Sequence, residues 1–347
     1  MAGDMIERRI PDFSIAQIAE SGQCFRITKV DEIFAGGTAA APNFDGTSAA
    51  AVVNFDETSA AAAVPLDLQE RVRANKSSQL WKVCALDKVL FIQENADNII
   101  QENADNLIKG NANNIIQKDA NNTHIFYCTD EEYKNIWTDY FDLNKDYSAI
   151  KKRILSLNDA YLTRAVQHGW GLRILRQSAW EATVSFIISQ RNNIPRIRML
   201  IERLCWSGIG GECICGGGCG GGCGCERFPS AEMLAARPLT DFTALGLGYR
   251  ASYVRDAATS VASGRICLDE ARRMCTADAI EYLMQLNGVG SKVAHCIALF
   301  GLHKIDAFPR DVWINRIIDR EYGGYFDVTY DIAGIIQQYM FFYERNK

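Results

Sequence analysis

The chain has 347 residues, of which 48% are hydrophobic and 23% are charged, as is typical of a globular protein with a sizeable core. It has no apolar run near the roughly 18 residues of a membrane-spanning helix, and its N-terminal segment "MAGDMIERRIPDF" lacks the apolar core of a secretory signal. We therefore expect no association with a membrane.

Charge is divided unevenly between the two halves of the chain. The net charge is −5, but residues 1–149 carry 13 Lys and Arg against 23 Asp and Glu, whereas residues 150–347 carry 24 against 19. Nineteen of those 24 cations are arginine, which suits bidentate contacts with phosphate and base edges. The second half could face a nucleic acid, although a solvated surface would also explain this modest asymmetry.

The N-terminal part alternates apolar and polar residues, as strands of an antiparallel sheet do. The predicted strands are "QCFRITKV" (23–30), "QLWKVCAL" (79–86) and "THIFYC" (123–128). Tandem copies "NFDGTSAAAVV" and "NFDETSAAAAV" and an eight-residue repeat beginning "IQENADNI" interrupt this part. We interpret them as insertions at about 34–65 and 92–122, since long surface insertions cost little closure entropy.

Cysteine is concentrated in one short stretch. Five of the twelve cysteines lie in "CICGGGCGGGCGC" (213–225), which favours a surface loop over 210–226 and a reduced compartment rather than a disulfide framework. Thiolates could hold zinc, but the usual C-x2-C pair is missing, so we predict neither a metal nor another cofactor.

From Asp130 onward the apolar spacing becomes helical, with Thr129 or Asp130 as the first N-cap. The sequence therefore predicts an α+β protein with an N-terminal antiparallel sheet domain over 1–129 and a mostly helical domain over 130–347. The predicted helices include "AIKKRILSLN", "AWEATVSFIISQ", "IPRIRMLIERLCW", "SAEMLAAR", "YVRDAATSVAS", "ADAIEYLMQL", "SKVAHCIALFGL", "DVWINRIIDR" and "DIAGIIQQYMFFYERN".

Two of these helices flank the hairpin Gly288, Val289 and Gly290. Glycines permit the positive φ angles of a tight turn, and Ser291 could cap the second helix. The free backbone N–H groups at the start of that helix could bind a phosphate. Such a helix-hairpin-helix grips a nucleic-acid backbone without reading its sequence.

Lys292 follows this hairpin, and Asp311 follows nineteen residues later. Lys292 could simply contact phosphate or solvent, and Asp311 could simply cap the next helix. Together they suggest chemistry, because a lysine with a lowered pKa is an amine nucleophile and an aspartate can stabilise an oxocarbenium ion at a sugar C1′.

The segment "LNGVGSKVAHCIALFGLHKIDAFPRDVWI" resembles the helix-hairpin-helix and catalytic aspartate loop of base-excision DNA glycosylases, most closely the 8-oxoguanine DNA glycosylases. The resemblance continues in that family's order and covers most of the chain outside the insertions. Its other blocks are "SGQCFR" (21–26), "ILRQSAWEATVSFIISQRNNIPRIRMLIERLC" (174–205), "LGLGYRASYV" (245–254) and "AGIIQQYMFFY" (333–343).

The resemblance implies a bifunctional glycosylase and lyase. Lys292 would attack C1′ of a flipped-out nucleotide, expel 8-oxoguanine and form a Schiff base, after which β-elimination cuts the strand. Asp311 would stabilise the charge on the sugar. The carbonyl of Gly22 would accept the N7–H that distinguishes the lesion from guanine.

The resemblance also assigns residues that hold the lesion and the opposite strand. Gln337 would bind the Watson–Crick edge, while Phe341 and Cys296 would sandwich the base. Asn192, Arg196, Tyr249 and Arg250 would fill the gap and hold the orphan cytosine. This sequence departs from the family at Asn287, Arg191 and His295, which stand where proline, asparagine and aspartate are usual.

The expected partner is double-stranded DNA containing 8-oxoguanine, bound by a monomer, in the nucleoid of a bacterium or in a eukaryotic nucleus. Two alternatives remain. One is a monofunctional alkylbase or adenine glycosylase of the same superfamily, which would lack the amine of Lys292. The other is a non-catalytic DNA-binding protein, which would need no paired lysine and aspartate.

Overall fold

The computed structural model describes residues 5–30, 68, 78–95, 123–206 and 227–347. Its described strands form one antiparallel five-stranded sheet in the order β1-β5-β4-β3-β2. The strands are β1 (Ile6–Arg9), β2 (Ile27–Lys29), β3 (Ser78–Ala85), β4 (Lys88–Asn95) and β5 (Thr123–Tyr127).

Cross-strand pairing places one row of apolar side chains on the inner face of the sheet. Ile6 pairs with Phe126, Phe126 with Ile92, and Ile92 with Trp81. All four side chains are buried in one cluster, because residues directly opposite each other share a face. The short helix α1 (Ile15–Glu20) packs its own apolar residues into the same cluster.

The helical part begins with α2, which runs through Asp130–Glu132, a π-helical turn at Tyr133–Trp137, and Thr138–Tyr140. Thr129 caps it in a reciprocal capping box with Glu132, as the sequence predicts. The helices that follow are α3 (Tyr147–Leu155), α4 (Ala160–His168), α5 (Ala179–Ser189), α6 (Ile194–Trp206), α7 (Ala231–Ala235), α8 (Leu239–Ala244), α9 (Arg250–Ala262), α10 (Leu268–Arg273), α11 (Thr276–Leu283), α12 (Ser291–Cys296), α13 (Val312–Tyr322) and α14 (Ala333–Asn346).

The predicted α+β class is confirmed, with an antiparallel sheet at the N-terminus and a mostly helical body after it. The prediction lacked β1, β4 and the helices α1, α4, α8 and α10. Three of those helices have six residues each, too short to show a helical period. The start of the eight-residue repeat at Ile92 lies within β4, so this part of the proposed insertion is a strand.

The predicted insertion at about 34–65, the rest of the repeat and the Cys/Gly-rich loop at 210–226 lie outside the described residues. The division into domains at residue 129 therefore stays a prediction. In the described part of the chain, no helix is long and apolar enough to cross a membrane.

Buried polar contacts fix the loop after α1 against the helical body. Gln23 is fully buried; its amide nitrogen donates to the carbonyl of Arg173 at 2.9 Å and its oxygen accepts from the N–H of Leu175 at 2.9 Å. Gln338 of α14 donates to the carbonyl of Ser21 at 2.9 Å. Because buried hydrogen bonds are costly to break, Gly22 between these anchors keeps a fixed position relative to α14.

Candidate active site

The hairpin between α11 and α12 is held by buried side chains and by α9. Leu286 and Val289 are 1% and 5% exposed, and the side-chain amide of Asn287 donates to Asp256 of α9 at 2.8 Å. Gly288 has a φ of +78°, and a Cβ there would lie 2.3 Å from the ring of Tyr253. Glycine is therefore required at 288 both by backbone conformation and by the packing of α9.

Gly290 differs from Gly288 because it faces open space. It is the N-cap of α12, and a Cβ built there would meet no atom within 4 Å. The prediction that Ser291 caps the helix is wrong, since Ser291 is the first helical residue and no side chain caps α12. The N–H of Val289 donates to the carbonyl of Leu286 at 3.0 Å and is not available to a phosphate, unlike the first N–H groups of the helix.

Lys292 and Asp311 both influence the ionisation of one buried thiol, that of Cys296. Burial raises the pKa of Cys296, the negative charge of Asp311 raises it further, and the charge and hydrogen bond of Lys292 oppose this rise. The amine of Lys292 lies 5.9 Å from the ring centroid of Phe186, and the residue is half-buried. Lys292 of α12 and Asp311, nineteen positions apart in sequence, therefore both lie within electrostatic range of Cys296.

Asp311 begins α13 as its N-cap, as predicted. Its Oδ1 accepts the N–H of Ile314 at 2.8 Å, and the described residues supply no partner for Oδ2. The cap holds the carboxylate in one orientation and leaves Oδ2 able to interact with a positively charged group. A lysine and a carboxylate held in this way could perform amine attack with electrostatic stabilisation of a cationic sugar.

α14 carries the residues predicted to hold a base. Gln337 is 4% exposed, and its side-chain oxygen has no hydrogen-bond partner in the described structure. A buried amide oxygen without a partner is costly, and a donor on a ligand would satisfy it. Phe341 lies one helical turn farther along and is half-buried.

Gly22 lies next to Phe341, and we call the region between Gly22, Gln337 and Phe341 the cleft. Its φ is +75°, and a Cβ there would lie 3.5 Å from Cε1 of Phe341 and 3.5 Å from Cδ1 of Ile194. The carbonyl of Gly22 accepts no hydrogen bond from the part of the chain that the structure describes. A flat heterocycle with one N–H donor fits these features, because Phe341 offers a stacking face and Gly22 a backbone acceptor.

No group of three or more His, Cys, Asp or Glu side chains that could hold a metal ion occurs among residues 5–30, 68, 78–95, 123–206 and 227–347. The groups predicted to act are an amine (Lys292), a carboxylate (Asp311) and hydrogen-bonding groups (Gly22 and Gln337). The cysteines of the 213–225 stretch lie outside these ranges.

Known proteins match both the sequence and the fold. A family model described as the 8-oxoguanine DNA glycosylase N-terminal domain matches residues 66–183. A structure of MBOgg1 in complex with a low-affinity DNA ligand superposes with a TM-score of 0.70 at 29% identity, covering 99% of this chain and 96% of that one. The Clostridium acetobutylicum 8-oxoguanine glycosylase/lyase, bound to duplex DNA with cytosine opposite 8-oxoG, gives 0.69 at 25% identity and 99% coverage of both chains.

The chain is thus similar to 8-oxoguanine DNA glycosylases in part of its sequence and in its whole fold. Among curated relatives, the N-glycosylase/DNA lyase of Saccharomyces cerevisiae is 36% identical over 167 residues, which is 44% of this chain and 42% of that protein. The N-glycosylase/DNA lyase OGG1 of Arabidopsis thaliana is 32% identical over 166 residues. These matches span 42% and 44% of the relatives' lengths.

Tyr249 and Arg250, two of the predicted opposite-strand residues, lie at the start of α9. Tyr249 is 50% exposed, as a residue that enters a DNA gap would be. Arg250 is 6% exposed, and its guanidinium donates to the carbonyls of Gln190 and Arg191, the first at 2.8 Å from Nε. In this structure Arg250 fixes the loop after α5, and its predicted contact with cytosine stays a prediction.

The loop after α5 and the first turn of α6 carry the other two predicted opposite-strand residues, Asn192 and Arg196. Asn192 donates to the carbonyl of Ile188 at 2.9 Å, which holds it against the end of α5. Arg196 is exposed on the first turn of α6, where its guanidinium is accessible to a ligand. Arg191 has a φ of +50° in this loop, a conformation that asparagine adopts more easily than arginine.

Sequence reasoning missed two residues of the cleft. Phe186 of α5 lies beneath the amine of Lys292, and it reads as an ordinary apolar residue of a buried helix. Arg345 of α14 stacks on Phe341, with its Cζ 5.4 Å from the ring centroid. The available signal for Arg345 was its four-residue spacing from Phe341, which places both on one face of a helix.

Proposed function

We propose that this protein is a bifunctional DNA glycosylase that excises 8-oxoguanine from duplex DNA and then cleaves the strand at the abasic site. The observation that carries the proposal is that Lys292 and Asp311 both act on the charge of one buried thiol, Cys296, while Gly22 and Phe341 lie side by side. The names of its relatives, which describe glycosylase and lyase activities on DNA, support it.

Recognition begins with a nucleotide turned out of the duplex into the cleft. The Gly22 carbonyl accepts a hydrogen bond from N7–H of 8-oxoguanine, whereas guanine presents a lone pair at N7. The orphan oxygen of Gln337 accepts a donor of the Watson–Crick edge, and Phe341 stacks on the ring. One lost or mismatched buried hydrogen bond costs about 1–3 kcal/mol, so the Gly22 contact alone supplies roughly tenfold to hundredfold discrimination.

The chemical step uses the free amine of Lys292. Its lone pair forms a bond to C1′ while the bond from C1′ to N9 breaks, and the electron pair leaves with the base, which takes up a proton. Asp311 stabilises the positive charge that develops on the sugar. The C1′–O4′ bond then breaks as the Lys292 nitrogen forms a protonated Schiff base with C1′, and O4′ takes up the proton that the nitrogen loses. Transfer of a 2′ proton to a base then expels the 3′ phosphate.

DNA binding uses the hairpin and the first turn of α12. The N–H groups at the start of α12 meet a backbone phosphate, and the open space beside Gly290 allows that phosphate to come close. Asn192, Arg196, Tyr249 and Arg250 act on the opposite strand, with Arg196 and Tyr249 exposed in the free protein. Such a protein works where DNA is kept, in a nucleoid or a nucleus.

A cleavage panel tests this proposal. Duplexes with 8-oxoguanine opposite each of the four bases, one with guanine and one with 3-methyladenine are incubated with the protein and with Lys292→Ala. We expect strand cleavage at 8-oxoguanine that requires Lys292. Base release without borohydride trapping would indicate a monofunctional glycosylase, and binding without base release would indicate a non-catalytic DNA-binding protein.

A further inference from the structure

Arg345 occupies the edge of the base cleft, and neither the predicted chemistry nor the family resemblance assigns it a role. Its Nη1 lies 3.5 Å from the position of a Cβ on Gly22, the same distance as Cε1 of Phe341. Its guanidinium also lies over the ring of Phe341 at 5.4 Å. Arg345 therefore lies next to Gly22 and over the proposed stacking face.

The position along α14 indicates which part of the nucleotide Arg345 would meet. Gln337, Phe341 and Arg345 are spaced by four residues, so they lie on one face of the helix. Their exposure increases outward, from the buried Gln337 to the half-buried Phe341 and Arg345. If Gln337 holds the Watson–Crick edge and Phe341 the ring, Arg345 lies at the opposite end, near C8 and the sugar-phosphate.

The guanidinium of Arg345 has donors to offer. It makes no hydrogen bond or ion pair with the part of the chain that the structure describes. Its guanidinium does stack on the ring of Phe341. Burial lowers the pKa of Arg345, while the negative charges of Asp311 and Glu20 raise it. A partly desolvated cation with unused donors favours a ligand with oxygen acceptors.

We propose that Arg345 is a further nucleotide-contacting residue, whose guanidinium donates to an oxygen acceptor on the C8 side of the flipped-out nucleotide. Two oxygens share this chemistry, the C8 carbonyl of the lesion base and a non-bridging oxygen of the adjacent phosphate. The proposal rests on the proposed function, because it needs a base in the cleft. A contact to the C8 carbonyl would add discrimination, since guanine has a C–H at that position.

Equilibrium binding in a Lys292→Gln background, which prevents turnover, separates the two sources. Arg345→Met keeps an apolar stem over Phe341 and removes the donors. We expect it to weaken binding to an 8-oxoguanine duplex about tenfold to hundredfold, the effect of losing a charge-assisted hydrogen bond. A duplex with a tetrahydrofuran abasic site keeps the phosphate but lacks the base. Loss on both duplexes indicates the phosphate, and loss on the 8-oxoguanine duplex alone indicates the C8 carbonyl.

The matched control is Arg273→Met, which removes the same charge from an exposed position on α10. Equal losses for Arg345→Met and Arg273→Met on every duplex, including undamaged DNA, would overturn the proposal, and so would binding within threefold of the parent. Thermal unfolding checks that Arg345→Met folds. Arg345→Lys provides a second variant, which keeps the positive charge but loses the planar, bidentate guanidinium. A parent that binds 8-oxoguanine and guanine duplexes equally would instead refute the proposed function.

Discussion

The two glycines of the hairpin allow a matched test, because alanine at 288 should reduce stability whereas alanine at 290 should reduce DNA binding. A Cβ at Gly288 would lie 2.3–2.7 Å from three ring atoms of Tyr253, and the backbone φ there is +78°. Left-handed backbone costs a non-glycine residue about 1–2 kcal/mol, and forcing an aromatic ring aside costs a further 1–3 kcal/mol, roughly. We expect Gly288→Ala to lower the free energy of unfolding by at least about 2 kcal/mol.

Gly290→Ala should leave stability nearly unchanged. The backbone φ at 290 is −89°, and no atom lies within 4 Å of the added methyl group. Alanine is a poorer N-cap than glycine, which lowers stability, but it also restricts the unfolded chain, which raises stability. Each effect is roughly 0.5–1 kcal/mol, so they nearly cancel. The methyl group would, however, stand in the space through which a phosphate approaches the start of α12, so DNA binding should weaken.

Urea denaturation and fluorescence anisotropy with a lesion duplex measure the two quantities separately. The expected pattern is a stability loss for Gly288→Ala and a binding loss without a stability loss for Gly290→Ala. If Gly290→Ala bound DNA as tightly as the parent, the proposal that a DNA phosphate binds at the start of α12 would be wrong. If Gly288→Ala unfolded at the parent's urea concentration, the packing of the hairpin on Tyr253 would be wrong.

Three further predictions follow from the site and its surroundings. Asp311→Asn keeps the N-cap oxygen and removes the charge, so single-turnover base release should fall at least about 100-fold with little change in thermal unfolding, and unchanged release would contradict the role of the carboxylate. Gln337→Leu removes a buried oxygen that has no partner, so stability should hold or rise while binding to 8-oxoguanine duplex weakens by about 1–3 kcal/mol; equal loss on undamaged DNA would contradict a base contact. Burial raises the pKa of the half-buried Glu181 to about 7, so stability should fall as the pH rises from about 4.3, where unfolded glutamate ionises, to about 7. Glu181→Gln should reduce that fall by on the order of 1–2 kcal/mol in urea denaturation at pH 5 and pH 8, and an identical pH profile would refute the assignment.

Sequence alone predicted the elements whose pattern is long and regular. Three elements were predicted from local signals alone: the helix containing "SKVAHC", the helix capped by Asp311 and the strand at 79–86. β1 was missed because four residues, "IERR", carry little alternation. β4 was missed in part because its second half has the sequence of the asparagine-rich repeat, and only pairing with β3 and β5 reveals it as a strand.

The candidate site shows the same limit. Lys292 and Asp311 were predicted as a pair, and the charges of both affect the pKa of Cys296, but their catalytic roles stay a prediction. No local pattern could show that the guanidinium of Arg250 bonds the loop after α5, since that contact joins residues about sixty positions apart. Ser291 was predicted as a cap from its residue type, but the backbone at Gly290 already adopts the extended conformation of an N-cap.

The covalent intermediate provides the most direct test of the central claim that the Lys292 amine bonds to C1′ of the damaged nucleotide. The protein is incubated with an 8-oxoguanine duplex and sodium borohydride, digested with a protease, and the DNA-linked peptide is identified by mass spectrometry. We predict one adduct on Lys292 and none with an undamaged duplex. An adduct on another lysine, or efficient base release without any adduct, would contradict the account.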